Sequence, residues 1–351
     1  MAEFGVRLPA GGPLASPRAM QRVARRSEDL GYDAVWVHDF LVWTKLQERT
    51  HVSCGSVEAI EASGDDPPIF YESITNMAWL AGLTDRIRIG VAVLCIPYRE
   101  PIATAKQIAN IDLLSDGRLI LGIGVGGAKT GNNQDFEVLG VPRADKWART
   151  TEYINVMKEI WTKDKPGFDG QYVTFPETDI NPKPVQKPFP PLWGSGRMAK
   201  SMQVTADVAD GWLPSWIPPD EYPAKIDELQ QMTRDAGRDV RMTIGDEIYA
   251  CIAPTSEEAH RKSDRTIAVL HHGFGSNPPV ELIARASLVG SPAEINSKIR
   301  QFVEAGVEHF ELKFVYHTID DLLDQLQLFR EEVMPNFNQH METRDGAPAL
   351  R

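Results

Sequence analysis

The stretch 116–127, D-G-R-L-I-L-G-I-G-V-G-G, restricts the fold of this chain more than any other part of it. Behind the turn pair Asp116-Gly117, the apolar run Leu119-Ile120-Leu121 reads as a buried strand. Gly122, Gly124 and Gly126 then alternate with Ile123 and Val125, so on a strand of period two the three glycines share one face. A face without side chains admits another backbone or a flat ligand. Gly122-x-Gly124-x-x-Gly127 also spells the dinucleotide fingerprint, which needs a helix opening within it and an acidic residue about 20 positions on. The sequel 128–135, A-K-T-G-N-N-Q-D, is polar and loop-like, and Arg143 and Ala144 stand where the acid should be. A nicotinamide-binding dehydrogenase is therefore the weaker reading of these glycines.

Around this stretch, strand and helix patterns alternate along the chain. Strands are expected at 4–8, 33–37, 87–94, 118–126, 191–196, 211–216, 242–252 and 307–315. Helices are expected between and after them. The first runs from the N-cap candidate Ser16 and Pro17 to Leu30. Its strand-helix-strand unit is tight enough to require parallel pairing. Eight such units predict an α/β fold, a (β/α)8 TIM barrel, over 1–338, followed by a polar tail at 339–351. Barrels of this kind usually need about 250 residues, so insertions are expected. They fall after strands two, four and seven, on the C-terminal face where barrel enzymes place their sites. In the last insertion, a Gly/Pro-rich loop at 271–279, His271-His272 are candidates to cap the site as a lid, with a solvated pair as the equal alternative.

Composition narrows the partners. The net charge of −12 opposes nucleic acid as a main partner, since phosphate backbones need a basic surface. No apolar run approaches the roughly 20 residues that span a bilayer, and the N-terminus reads straight into a strand rather than a signal peptide. Cys54, Cys95 and Cys251 are few, scattered and in no ligand spacing, so a reducing, cytoplasmic setting without a structural metal is expected.

Several segments together resemble the luciferase-like flavin-dependent oxidoreductases. They are D-A-V-W-V-H-D-F at 33–40, R-I-R-I-G-V-A-V-L with Tyr98-x-x-Pro101, and L-L-S-D-G-R-L-I-L-G-I-G-V-G-G. F-E-V-L-G-V-P at 136–142, P-L-W-G-S-G at 191–196 and A-D-G-W at 209–212 complete the set. The resemblance implies the same barrel and a cofactor that is either reduced FMN or the deazaflavin coenzyme F420. It places Gly124, Val125 and Gly126 beside the cofactor ring and Ala92-Val93 against it. In relatives the latter pair often forms a non-proline cis peptide. Gly194, Ser195, Gly196 and Arg197 match the cofactor-phosphate loop, and there elementary physics agrees. Small residues let N–H groups approach, Ser195 offers a hydroxyl, and a helix N-terminus favours an anion.

His38 and Asp39 end the second strand and are the expected catalytic groups, one as an acid or base near neutral pH. Side chains alternate along a strand, so one of the two is expected to face the pocket. Trp43, Trp212, Trp216 and His271 are candidates to wall the substrate; core packing, or for His271 solvent exposure, is the alternative for each. Arg149 and Glu152 read as an ion pair fixing a helix. The expected reaction is monooxygenation of a small, apolar organic substrate with oxygen and a flavin reduced by a separate reductase. Deazaflavin-dependent hydride transfer is the close alternative, and a non-catalytic flavin- or pterin-binding relative the more distant one. A homodimer is expected.

Overall fold

The computed structural model describes residues 2–41, 55–64, 69–126, 133–273 and 280–337. Eight parallel strands form a closed barrel: β1 (Glu3–Arg7), β2 (Ala34–Val37), β3 (Arg88–Cys95), β4 (Leu119–Gly124), β5 (Leu192–Ser195), β6 (Gly211–Leu213), β7 (Thr243–Ile252) and β8 (His309–Phe314). Each pairs with its successor, and β8 closes on β1 through Glu3↔His309 to Val6↔Leu312. The helices that return the chain are α1 (Pro17–Asp29), α2 (Ser73–Leu83), α3 (Pro101–Leu114), α4 (Lys146–Thr162), α5 (Ala199–Val208), α6 (Tyr222–Asp235), α7 (Pro292–Glu304) and α8 (Ile319–Glu332). This is the (β/α)8 TIM barrel that the alternation predicts. Among the described residues no helix is long and apolar enough to cross a membrane.

Local chemistry sets the boundaries. The Ser16 hydroxyl accepts from Ala19 N at 3.1 Å with Pro17 opening α1, and Met20, Val23 and Ala24 on its inner face are buried. Ahead of β4, Asp116 and Gly117 both take positive φ, 53° and 76°, as the Asp-Gly turn pair requires. Outward-facing residues such as Phe4, Val35, Ile89 and Leu121 join the layer between strands and helices. Inside the barrel, Ala34, Trp36, Ala92, Ile120, Trp193 and Leu213 form a separate cluster. Trp36 and Trp193 lie 5.7 Å apart there, each meeting the His309 ring edge-on.

Two features depart from the sequence reading. A four-residue strand, Ser287–Gly290, pairs with Tyr249–Ile252 at the upper end of β7; its run is too short to stand out beside the helix that follows. The helix Ser256–Gly273 continues past Val269, so His271 sits in its last turn instead of on a lid loop. Its sequence holds no breaker before Gly273. Trp43 lies outside the described residues, as do the His271 side chain and the rest of the proposed lid.

Candidate active site

The C-terminal ends of the strands surround a cavity of about 880 Å³. His38, Asp39, Ala92, Val93, Gly124, Val125, Gly126, Gly194, Ser195 and Gly196 all line it. The pairing of β3 with β4 shapes the wall between them. The register between these strands shifts between Val91 and Leu94, and the Ala92-Val93 peptide is cis. The displaced Val93 side chain fills the space that the β4 glycines leave. A Cβ on Gly124 would stand 2.4 Å from Val93 Cγ2, and one on Gly122 would stand 2.1 Å from Val91 O. Gly126 has φ 67° and faces the Tyr98 hydroxyl. The bare face is thus met by the neighbouring strand, and Val93 and Gly124 together present a low, flat wall to the cavity.

At the end of β2, the two adjacent candidates have different surroundings. Asp39 is buried with both oxygens engaged. Oδ2 accepts from Cys95 N at 2.9 Å and Arg99 Nη1 at 2.6 Å; Oδ1 accepts from Arg99 Nη2 at 2.7 Å and the Ser73 hydroxyl at 2.9 Å. The carboxylate locks the end of β3 to the starts of α2 and α3. Against the cost of burial, Asp39 and then Glu72 hold the Arg99 guanidinium above its ordinary pKa. Burial, reinforced by the Asp39 charge, pushes the Cys95 thiol well up, so it stays protonated. His38 instead packs edge-on against Phe40 and Phe70, at 5.3 and 5.6 Å. Its Nε2 lies where a side chain on Gly11 would be, 2.5 Å from that Cβ position.

The far end of the cavity holds a charged cluster. Arg7 donates from Nε and Nη2 to the two oxygens of Glu311, at 2.5 and 3.0 Å. Its Nη2 also reaches Glu247 Oε1 at 3.1 Å and the Ala92 carbonyl at 3.3 Å. Lys313 Nζ donates to the same Glu247 oxygen at 2.7 Å and lies 4.1 Å from the Tyr249 ring centroid. Burial would neutralise Lys313, but Glu247 and then Tyr249 keep its pKa above the usual value. Burial pushes the Glu311 carboxyl up against the opposing Arg7 charge. This cluster escapes a motif search, yet it leaves a sequence signal. His309, Glu311 and Lys313 are polar at every second position of an otherwise apolar strand, which marks a polar barrel interior.

The other end is basic. Arg143, Lys146 and Lys200 line it, with Ser195, Ser201 and the first residues of α5. Lys146 Nζ donates to Gly126 O at 2.7 Å; burial, then the Arg143 charge, lower its pKa. Met198 at the N-cap of α5 supplies no side-chain acceptor, and Gly196 with φ 83° brings the chain close, where a Cβ would meet Ser201 Oγ at 2.7 Å. An uncapped helix N-terminus, two hydroxyls and a lysine suit a phosphate. Arg197 does not line the cavity; its Nη1 donates to the Trp216 carbonyl. Trp212 is fully buried and donates from Nε1 to Gly196 O at 2.9 Å, while Trp216 stacks behind Tyr249. Neither tryptophan is part of the cavity lining. Arg149 and Glu152 do not form the expected pair: Arg149 donates to the Tyr153 hydroxyl, and Glu152 accepts the backbone N–H groups of Gln171, Tyr172 and Val173.

Comparison with known proteins agrees with this architecture. The chain is 26% identical over 347 residues to an F420-dependent glucose-6-phosphate dehydrogenase of Amycolatopsis mediterranei, covering 91% of this chain and 94% of that protein. It is 24% identical over 310 residues to the FMNH(2)-dependent dimethylsulfone monooxygenase of Pseudomonas putida, covering 80% and 82%. An F420-dependent secondary alcohol dehydrogenase, solved as an F420-acetone adduct, has the same fold, with a TM-score of 0.75 at 20% identity over 96% of this chain and 99% of that one. Residues 1–309 match the family model described as luciferase-like monooxygenase, and the chain belongs to that family.

Proposed function

We propose that the chain is an oxidoreductase that holds a flavin-type cofactor in this cavity and acts on a small polar molecule by deazaflavin-dependent hydride transfer. The observation that carries the reading is the polarity of the two cavity ends, one anion-seeking and the other built from protonatable groups. Three basic side chains, Arg143, Lys146 and Lys200, line one end of the cavity in a chain of net charge −12, while Arg7 and Lys313 at the far end are paired with Glu247 and Glu311. That local inversion of charge favours a phosphate-bearing ligand.

The described residues fit such a cofactor. Gly124, Val125 and the Ala92-Val93 segment offer the flat wall for a ring, while Ser195, Gly196, Lys200 and Ser201 would hold a phosphate. When bound, the cofactor supplies the two-electron chemistry. The chain supplies orientation, partial exclusion of water and a place for the accompanying proton. His38 is the acid or base we assign, since it lines the cavity and the Asp39 oxygens are already committed to Arg99, Cys95 and Ser73. Arg7, Glu247, Lys313 and Tyr249 give the far end charged and hydroxyl groups beside which a polar substrate can form hydrogen bonds that an apolar one cannot. We therefore read the substrate as polar, where the sequence alone favours an apolar one.

A second reading, monooxygenation with reduced FMN supplied by a reductase, keeps support from one observation. Gly124 and Val125 bring no acid or base to the ring wall, and oxygen chemistry at a flavin does not require one there. Titration of the purified protein with coenzyme F420 and with reduced FMN, followed by fluorescence quenching, tests both. Micromolar binding of F420 alone is expected. Binding of FMN alone favours the second reading, and binding of neither overturns both.

A further inference from the structure

The phosphate loop is tied once to β6 and once to the corner that follows it. Trp212 Nε1 donates to the Gly196 carbonyl at 2.9 Å, and Arg197 Nη1 donates to the Trp216 carbonyl. Trp216 has φ 63°; with Asp116 it is one of two non-glycine residues of positive φ among those described. A bulky aromatic residue keeps that conformation only where its surroundings impose it. Two restraints do so here. The Arg197 hydrogen bond fixes the carbonyl, and the Trp216 ring stacks on Tyr249 at 5.2 Å and 26°. Tyr249 lines the cavity, and Lys313 Nζ stands 4.1 Å from its ring and 5.9 Å from that of Trp216. A continuous set of contacts therefore runs from the phosphate loop, through Arg197 and the Trp216 corner, to the polar end of the cavity.

We infer that Arg197 is a positioning residue that sets the Trp216–Tyr249–Lys313 wall and couples it to occupancy of the phosphate loop, instead of ligating the cofactor phosphate. The inference rests on the reading of that loop as an anion site. The half-buried Arg197 guanidinium, whose pKa burial lowers, donates to the Trp216 carbonyl and is outside the cavity lining. An anion drawn to the start of α5 acts on the same short segment that carries Arg197. Its arrival is thereby transmitted to the Trp216 carbonyl, and through the stacked rings to the group beside Lys313. A substrate meets its polar wall in final form only when the loop is filled.

Arg197→Met and Arg197→Lys separate this from direct phosphate ligation, with 5-fluorotryptophan labelling as the readout. The Trp216 fluorine resonance is assigned by its loss in Trp216→Phe. In the unaltered protein, F420, reduced FMN or inorganic phosphate is expected to shift that resonance. In Arg197→Met the resonance is expected to be displaced before any ligand is added and to stop responding to ligand, while cofactor affinity stays within threefold. Arg197→Lys is expected to restore part of the response. Circular dichroism and thermal unfolding confirm that each variant is folded. A tenfold or greater loss of cofactor affinity with the Trp216 resonance unmoved would make Arg197 a phosphate ligand and overturn the inference. An Arg197→Met protein whose Trp216 resonance matches the original, free and bound, would overturn it as well. If the unaltered protein binds no cofactor, the functional reading fails, and the ligand-free displacement of Trp216 still decides whether Arg197 positions that corner.

Discussion

Gly124 and Val93 share a single volume at the cavity wall: a Cβ on Gly124 would lie 2.4 Å from Val93 Cγ2. The glycine is required by the neighbouring strand, and the cavity inherits a flat surface from that packing. Gly124→Ala is expected to cost about 1–3 kcal/mol, the usual range for overpacking, and to weaken cofactor binding at least tenfold by moving Val93. Adding Val93→Ala should recover most of both losses, as read by thermal unfolding and fluorescence titration. Gly122→Ala has no such remedy, because its Cβ would meet the Val91 carbonyl at 2.1 Å. A stable Gly124→Ala protein with undiminished binding would show that this close approach does not shape the wall.

His38 and Asp39 are expected to respond in opposite ways. Asp39→Asn breaks a buried bidentate pair with Arg99 and should destabilise the protein by about 3 kcal/mol. His38→Asn removes a ring from an aromatic cage without stranding a charge, so stability should change by roughly 1 kcal/mol while turnover falls by two orders of magnitude or more. Denaturant unfolding measured beside cofactor turnover checks both. Equal turnover losses with equal stability losses would remove the distinction drawn between the two residues.

Strand identity in this chain is legible because buried parallel strands read as apolar runs, and 119–121 or 33–37 cannot be much else. The glycines of β4 pointed to a close neighbour, but period two alone could not distinguish a ligand from Val91 and Val93. That depends on the register shift between β3 and β4, a property of strand pairing that no single strand records. Arg7, Glu247, Glu311 and Lys313 come from three strands far apart in the chain. Their meeting follows only from barrel closure, which no local pattern records, and the same closure leaves Trp212 and Trp216 outside the cavity lining.

Lys313 and Arg7 differ in what their loss leaves behind. Lys313→Met leaves Glu247 with its Arg7 partner, and a stability loss of about 1–2 kcal/mol is expected. Arg7→Met leaves the fully buried Glu311 without its bidentate partner and releases the Ala92 carbonyl, and a loss of about 3–5 kcal/mol is expected. Arg7→Met should also weaken cofactor binding through the Ala92-Val93 wall, whereas Lys313→Met should leave it within threefold and impair substrate turnover. Urea unfolding and cofactor titration on the two variants give the comparison. Similar losses in both variants would mean that the cluster does not divide its work in this way.

Asp246 offers a pH dependence with a definite sign. It is 1% exposed on β7, next to Gly245, whose carbonyl accepts from the Tyr222 hydroxyl, and burial pushes its pKa well above the ordinary value. Between the unfolded value of about 3.9 and the raised folded value, the native state binds more protons than the unfolded one, so stability falls as pH rises through that window. Asp246→Asn keeps the shape of the side chain and removes the titration. The variant should match the original protein near pH 4 and unfold at a higher temperature at pH 8, by at least about 2 °C. Glu3 acts in a separate window. Burial would raise its pKa, but His309 and Arg88 hold it at about 2, so its contribution is present above about 4.3 and is lost only as pH falls toward 2. Burial also raises Asp33 and Glu311, so it is the difference between the unfolding temperatures of the two proteins from pH 4 to pH 9 that isolates Asp246. An Asp246→Asn curve that runs parallel to the original across that range would remove the buried carboxyl as the cause.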